Sequence, residues 1–407
     1  MPQGYLSRLL EPVLLQAARD FPAVLVTGPR QSGKTTLLKH AFSATHRYVS
    51  LEPADVRLAA RTDPRGFLAL HPPPVIFDEI QAAPDLLTYL KDAIDRDRGA
   101  KGRYLLTGSQ NLLLMRAVTE TLAGLAAVLT LPPLSYREAA DERVAPLPWE
   151  EREHPEALQA LAPDRVWSAL LRGSYPELAA EPGRDAALWH ASYLRTYLER
   201  DVRDLRQVGD LSTFQAFLRL LAARSSQLLN LSEVARDLGL ATNTAKAWLG
   251  VLEATHQVFL LRPYAANLSK RMVKTPKVFL ADTGTLCHLV GLSSTEHAAQ
   301  SPMSGAIVET AVVGEVAKRL WARGLEPRMW FWRTSAGTEV DLLIEAEGKL
   351  HAIEIKQSAT PNPRMARHLV ELKKDLGDRL GMRLVVHLGD VTLPLGDGVV
   401  AWPLAGL

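Results

Sequence analysis

Gly28-Pro29-Arg30-Gln31-Ser32-Gly33-Lys34-Thr35 is the stretch that decides how this chain is read. It matches the phosphate-binding loop pattern at every fixed position. Ala23-Val24-Leu25-Val26-Thr27 precedes it, a short apolar run of the kind a buried parallel strand makes. Thr36-Leu37-Leu38-Lys39-His40 follows and reads as the first turns of a helix. Strand, glycine loop and helix together aim backbone N–H groups and a helix-dipole end at one point, which suits a polyphosphate. ATP is therefore the expected ligand, held by Gly28, Pro29, Arg30, Gln31, Ser32, Gly33, Lys34, Thr35 and Thr36. Lys34 is expected on the β- and γ-phosphates, and the Thr35 hydroxyl on Mg²⁺.

The second half of that site is expected from Pro74-Val75-Ile76-Phe77-Asp78-Glu79, an apolar strand ending in two carboxylates. Asp78 fits the acid that holds Mg²⁺ from a strand beside the loop. Glu79, one residue on, is placed to polarise the attacking water. Lys34, Asp78 and Glu79 are thus the expected catalytic residues, and the acid pair argues for hydrolysis over simple binding. A further apolar strand, Tyr104-Leu105-Leu106-Thr107, runs into Gly108-Ser109-Gln110, so Thr107, Ser109 or Gln110 is a candidate γ-phosphate sensor.

Composition sets broad limits. The chain has 407 residues, enough for two to four domains, and 47% of them are hydrophobic. A single cysteine, Cys287, excludes an internal disulfide and fits a reducing cytoplasm. No uncharged apolar run reaches membrane-spanning length, so no membrane partner is expected. The 47 basic and 45 acidic residues leave a net charge of only +2, so any nucleic-acid surface must be local.

Along the chain, residues 21–130 alternate apolar strands with helical stretches, as a three-layer α/β domain does. Expected strands are 23–27, 48–50, 75–77, 104–107 and 127–131. Prolines and charges crowd 131–164, which reads as linker and loops. Residues 166–223 carry helical periodicity. Leu231-Ser232-Glu233-Val234-Ala235-Arg236-Asp237-Leu238-Gly239 and Ala241-Thr242-Asn243-Thr244-Ala245-Lys246-Ala247-Trp248-Leu249 form a helix-turn-helix pattern. Strands at 258–263 and 277–280 are its expected β wing. Thr242, Asn243, Thr244 and Lys246 open the second helix and are residues a DNA-reading helix uses. Arg262, Lys270, Arg271, Lys274 and Lys277 follow as a basic cluster for phosphate contact. The expected division is an ATPase domain over 1–145, a linker and helical segment over 146–225, a winged helix over 226–290 and an α/β C-terminal domain over 300–407.

A second chemical pattern lies near the C-terminus. Two strands flank a Glu347-Gly348 turn, a hairpin signal. Pairing Ala346 with Lys349 sets Asp341 opposite Glu354 and Glu339 opposite Lys356, so these four crowd one side. Val340, Leu342 and Ile344 are expected on the other side with Ile353, Ile355 and His351. Asp341 followed by Glu354-Ile355-Lys356 is the arrangement of the PD-(D/E)XK nuclease core, whose acids hold Mg²⁺ while the lysine positions water. Glu309 and Glu315, on a helix beginning near Ile307, are candidates to complete the metal shell.

Taken together the chain resembles the prokaryotic AAA-type ATPases that carry a C-terminal DUF4143 region. The resemblance rests on 28–35, VIFDEIQ at 75–81, LTGSQ at 106–110, YPEL at 175–178, YLRTYLERDVR at 193–203, PKVFLADTG at 276–284, FWRTSAGTEVD at 331–341 and Glu354–Lys356. It implies an ATPase module, a helical and winged-helix connector and a nuclease-like C-terminal domain. It also implies action on DNA, with branched forms such as Holliday junctions as a proposed substrate, and assembly into AAA rings, a hexamer being expected. One departure stands out: members usually show Leu-Ala-Gly-Arg, whereas Leu122-Ala123-Gly124 here precedes Leu125. An arginine finger is worth on the order of 10³–10⁵ in rate, so Arg116, Arg200 or Arg203 is expected to substitute. The leading expectation is a DNA-directed ATPase. The alternatives are a nucleotide-gated binding or regulatory protein and an ATP-linked nuclease.

Overall fold

The computed structural model describes residues 5–108, 118, 120–142, 146–150, 163–197, 210–264, 274–334 and 337–407. Among these, the N-terminal part runs α1 (Glu11–Asp20), β1 (Ala23–Thr27), α2 (Lys34–Phe42), β2 (Arg47–Ser50), α3 (Ala54–Thr62), α4 (Pro64–Leu70), β3 (Val75–Asp78), α5 (Leu86–Asp95), β4 (Tyr104–Thr107) and β5 (Ala126–Thr130). The strands pair in parallel in the order β2-β3-β4-β1-β5. β1 is central and every residue in it is buried, so only an apolar run fits. Val24 and Val26 face Leu10, Leu14, Leu37 and Leu38 of the helical layer on one side. Ala23 and Leu25 face Phe67, Leu86, Leu90 and Ile94 on the other. Burying Val24, Leu25 and Val26 contributes roughly 1.5–3 kcal/mol each. The three-layer expectation and its strand positions hold to within a residue or two.

The 131–164 stretch is more than a linker. Leu131 to Ser135 are buried, and α6 (Tyr136–Ala139) is closed by a capping box between Ser135 and Glu138. Helices α7 (Pro163–Arg172), α8 (Pro176–Ala180), α9 (Ala186–Tyr197) and α10 (Leu211–Ala223) follow. α11 (Leu231–Asp237) starts on an Asn230 cap and ends at Gly239, whose φ of 65° only glycine adopts without strain. α12 (Thr242–Ala254) follows it, and its Trp248 meets Phe214 and Phe217 of α10 edge-on. β6 (Val258–Pro263) and β7 (Lys277–Leu280) then pair antiparallel, Val258 against Leu280.

That hairpin belongs to a larger sheet. After α13 (Thr283–Leu289), α14 (Thr295–Gln300) and α15 (Ser304–Trp321) come β8 (Met329–Arg333), β9 (Glu339–Ala346), β10 (Lys349–Ile355), α16 (Arg367–Leu376), β11 (Leu380–His387), β12 (Leu393–Gly396) and β13 (Val399–Pro403). The order is β12-β13-β11-β10-β9-β8-β6-β7. Arg262 on β6 pairs with Trp330 on β8, so strands from the expected 226–290 and 300–407 units share one sheet. Asp282 caps α13, and its Oδ1 accepts from both the N–H and the hydroxyl of Ser174, the residue before the 175–178 motif, at 2.7 Å.

The β9–β10 register is the expected one from Ala346–Lys349 to Leu342–Ile353, but the expected pairs Asp341–Glu354 and Glu339–Lys356 are not part of it. The face assignment needs correction at Val340. The pairing of β8 with β9 shifts between Trp330 and Trp332, a bulge that turns the strand by one residue. Val340 therefore packs with Trp332, Leu343 and Ala352, while Leu342, Ile344, Ile353 and Ile355 pack on the opposite side. His351 is buried and stacks on Trp149, so it is a packed histidine. No helix among the described residues is long and apolar enough to cross a membrane.

Candidate functional site

The loop between β1 and α2 takes its shape from its backbone. Gly28 has a φ of 142°, and a Cβ there would lie 2.2 Å from the Leu131 carbonyl oxygen. Gly33 has a φ of 90° and caps α2. Any side chain at position 28 would therefore displace the buried 131–135 segment.

Lys34 is buried, and its Nζ donates to the carbonyl oxygens of Gly28 at 3.0 Å and Pro29 at 2.8 Å. The ammonium thus sits across the mouth of its own loop, where phosphate oxygens would replace those carbonyls. Ser32 Oγ is fully buried and has no hydrogen-bond partner among the described residues.

Asp78, at the end of β3, is the hub. Its Oδ1 accepts from Thr35 Oγ1 at 2.8 Å and also from Thr107 Oγ1. Its Oδ2 accepts from the Tyr48 hydroxyl at 2.6 Å. Thr107 Oγ1 in turn accepts from the Glu79 N–H at 3.1 Å. Glu79 sits at a φ of 59°, a left-handed conformation, and its carboxylate accepts from Gln81 Nε2. The ends of β3 and β4 bring Asp78 and Thr107 together beside Thr35, and the Tyr48 side chain reaches Asp78 from within β2. Thr35 and Asp78 fit a divalent cation: a hydroxyl and a carboxylate sit within 2.8 Å of each other at the loop.

Thr107 lies beneath the acid pair and is fully buried, which gives it a positioning place rather than the expected sensor's. Thr36 is exposed at the loop. Ser109, Gln110, Arg116, Arg200 and Arg203 lie outside the described residues.

Sequence reading missed Tyr48, Arg8 and Glu138. Burial first, and then the bond to Asp78, raise the Tyr48 hydroxyl above its ordinary range, so it stays a donor. Arg8 is buried; its Nη1 donates to the Ser32 carbonyl at 2.6 Å and its Nη2 to that of Pro132 at 2.7 Å. Its Nε meets Glu138 Oε1 at 3.0 Å, and that same oxygen accepts the Leu9 N–H at 2.8 Å. This arginine ties the phosphate loop to the 131–138 segment. Its one legible signal is a lone basic residue in an otherwise amphipathic N-terminal stretch. Beside the loop a cleft of about 340 Å³ opens, lined by Tyr5, Leu6, Arg8, Gln31, Gly33, Thr36, Leu134, Pro176, Glu177 and Ala180.

With this geometry in place, the comparisons with known proteins speak to the same regions. Residues 20–140 match the family described as AAA domain, and 304–407 match the domain of unknown function DUF4143. Residues 164–296 match a further domain of unknown function, DUF8612. The uncharacterized proteins Rv2008c of Mycobacterium tuberculosis and Mb2031c of Mycobacterium bovis are each 32% identical over 393 residues, covering 96% of this chain and 82% of theirs. The chain belongs to their family, AAA-type ATPases with a C-terminal DUF4143 domain. Among solved structures, the Walker-type ATPase PABY2304 of Pyrococcus abyssi is 14% identical, with a TM-score of 0.43 over 69% of this chain and 94% of that one. Thermotoga maritima RuvB is 16% identical, with a TM-score of 0.30 over 62% of this chain and 88% of that one.

In this AAA-type ATPase the residues expected to meet DNA divide in two. Thr242, Asn243 and Lys246 are exposed at the start of α12, Thr244 is half-buried beside them, and Arg262 and Lys274 are exposed. Lys270 and Arg271 lie outside the described residues. Lys277 is a correction: it is buried, with its Nζ 2.7 Å from Glu309 Oε1 and 2.5 Å from Glu339 Oε1. It offers no phosphate contact.

The DUF4143 acids are also arranged differently from the expectation. Glu309 on α15 and Glu339 on β9 pair with Lys277, whose charge Asp341 also feels, while Glu354 on β10 pairs with Lys356. Glu354 Oε1 accepts from Lys356 Nζ at 2.7 Å, and Asp341 Oδ2 accepts the Ile355 N–H at 2.8 Å. Burial and Asp341 push Glu309 up to about 7 and Glu354 up to about 8. Glu315 is not part of this group: its carboxylate accepts the Tyr136 N–H at 3.0 and 3.1 Å. No group of three or more His, Cys, Asp or Glu among the described residues is placed to hold a metal ion.

Proposed function

We propose that this chain hydrolyses ATP at the β1–α2 loop and uses the cycle to act on DNA. The observation that carries the first half is the Thr35–Asp78–Thr107–Glu79 network beneath Lys34. A triphosphate in the loop draws Lys34 off the Gly28 and Pro29 carbonyls and onto its β- and γ-oxygens. Thr35 and Asp78 would hold Mg²⁺, which would neutralise the charge developing on those oxygens. Glu79, fixed by its strained backbone and by Gln81, accepts a proton from the attacking water. The nucleoside end lies in the cleft between Tyr5 and Pro176, so the helical segment senses whether nucleotide is present.

The DNA half rests on sequence and exposure. α11, α12 and the β6–β7 hairpin have the order of a winged helix, and its open face presents Thr242, Asn243, Lys246, Arg262 and Lys274. Phosphate contact by such a face gives sequence-tolerant, salt-sensitive binding. Remodelling of branched or duplex DNA by a ring of subunits is the activity this combination serves.

The test measures phosphate release with and without four-way junction, duplex and single-stranded DNA, alongside DNA affinity between 50 and 200 mM salt. Stimulation by at least one DNA form, lost in Lys246→Glu/Lys274→Glu, is the expected result. A rate indifferent to all three, with no binding at low salt, refutes the DNA half and leaves an ATP-operated switch for a protein partner.

A further inference from the structure

The acidic cluster of the C-terminal domain already contains a cation. Lys277 enters it from β7, far in sequence from the acids. Its backbone is held on both sides, by the β6 pairing at Leu261 and by an isolated bridge to Leu228. The side chain is only 4% exposed, and its ammonium bridges Glu309 on α15 and Glu339 on β9, with the Phe331 ring 5.5 Å away. The second oxygen of Glu339 meets Arg333 Nη1 at 2.8 Å.

A divalent ion shared by these acids needs their oxygens at about 2.1 Å in near-octahedral array. Lys277 Nζ stands between two of them, Arg333, Lys356 and the Ile355 N–H take up three more, and a second cation at that spot would be repelled by the ammonium. Glu354 already holds Lys356 and His368 at its Oε1, and its Oε2 is buried with no hydrogen-bond partner among the described residues.

We infer that Lys277 is a tethered counter-ion occupying the place a catalytic metal would need, so that this DUF4143 domain binds no divalent cation and does not cut DNA by metal-assisted hydrolysis. The cluster instead joins the β6–β7 hairpin to α15 and β9 as a structural clamp. Removing the ammonium while keeping the acids opens the site.

The experiment is a titration of Mn²⁺ by electron paramagnetic resonance on the nucleotide-free full chain. Wild type, Asp341→Asn, Lys277→Met and Lys277→Met/Asp341→Asn are compared, with circular dichroism to establish folding. Wild type and Asp341→Asn are expected to bind the same number of Mn²⁺ ions. Lys277→Met is expected to gain one equivalent, which Asp341→Asn then removes. If wild type binds one equivalent more than Asp341→Asn, the inference is overturned. It is also overturned if folded Lys277→Met gains none. Should Lys277→Met fail to fold, the comparison of wild type with Asp341→Asn still decides.

Discussion

Thr107→Val is the sharpest probe of the nucleotide site, because it separates a residue that positions the acids from one that touches phosphate. The hydroxyl donates to Asp78 Oδ1 and accepts the Glu79 N–H at 3.1 Å. Valine keeps the volume but removes both bonds. A hydrogen bond to a charged group contributes about 1.5–3 kcal/mol, and an N–H left without a partner costs about 1–3 kcal/mol. Some of that loss falls on stability and is relieved by water. If about 2–3 kcal/mol appears as lost placement of Asp78 and Glu79 in the transition state, kcat falls roughly 30- to 150-fold. Lys34 and the loop N–H groups are untouched, so KM for ATP stays within about threefold. Thr107→Ser restores both bonds and most of the rate. Steady-state phosphate release gives kcat and KM, and binding of a fluorescent ATP analogue checks affinity independently. A Thr107→Val enzyme with unchanged kcat refutes the positioning argument. A raised KM at constant kcat instead places the hydroxyl on the nucleotide.

Four other outcomes follow from named contacts. Glu79→Gln should keep ATP binding but lower hydrolysis at least about 100-fold, the effect of losing a general base, and single-turnover assays should find ATP retained. Arg8→Ala strands the buried Glu138 carboxylate, and thermal or urea denaturation should show a loss of about 3 kcal/mol; retained stability would mean that water replaces the arginine. Tyr48→Phe removes a donor from Asp78 Oδ2 and should weaken ATP-dependent Mg²⁺ activation several-fold, read as a shift in the Mg²⁺ dependence of the rate. Glu354 is held up to about 8 in the folded chain, so the folded state keeps its proton where the unfolded state has lost it. Its contribution to stability is complete below about pH 4.5 and disappears as pH rises through about 8. Urea denaturation at pH 6 and pH 9 should show that slope flattened in Glu354→Gln.

What the sequence made legible is local. The glycine loop, the strand ending in Asp78-Glu79 and the Ala346–Lys349 hairpin register each follow from spacing within a few residues, where backbone geometry leaves one solution. Even there a single bulge, caused by how β8 pairs with β9, moved Val340 to the other face.

What only the tertiary structure decided is who meets whom across long separations. Tyr48, which pairs with Ile76, reaches Asp78 two residues further along because β2 and β3 run parallel and its side chain is long. Arg8 finds Ser32, Pro132 and Glu138 because α1 and the 131–138 segment close over the phosphate loop. Lys277, which reads in sequence as one more surface base, becomes the buried partner of Glu309 and Glu339 because β6 joins the C-terminal sheet. Charge pairing depends on distance in space, and sequence spacing fixes that distance only within one element or one hairpin.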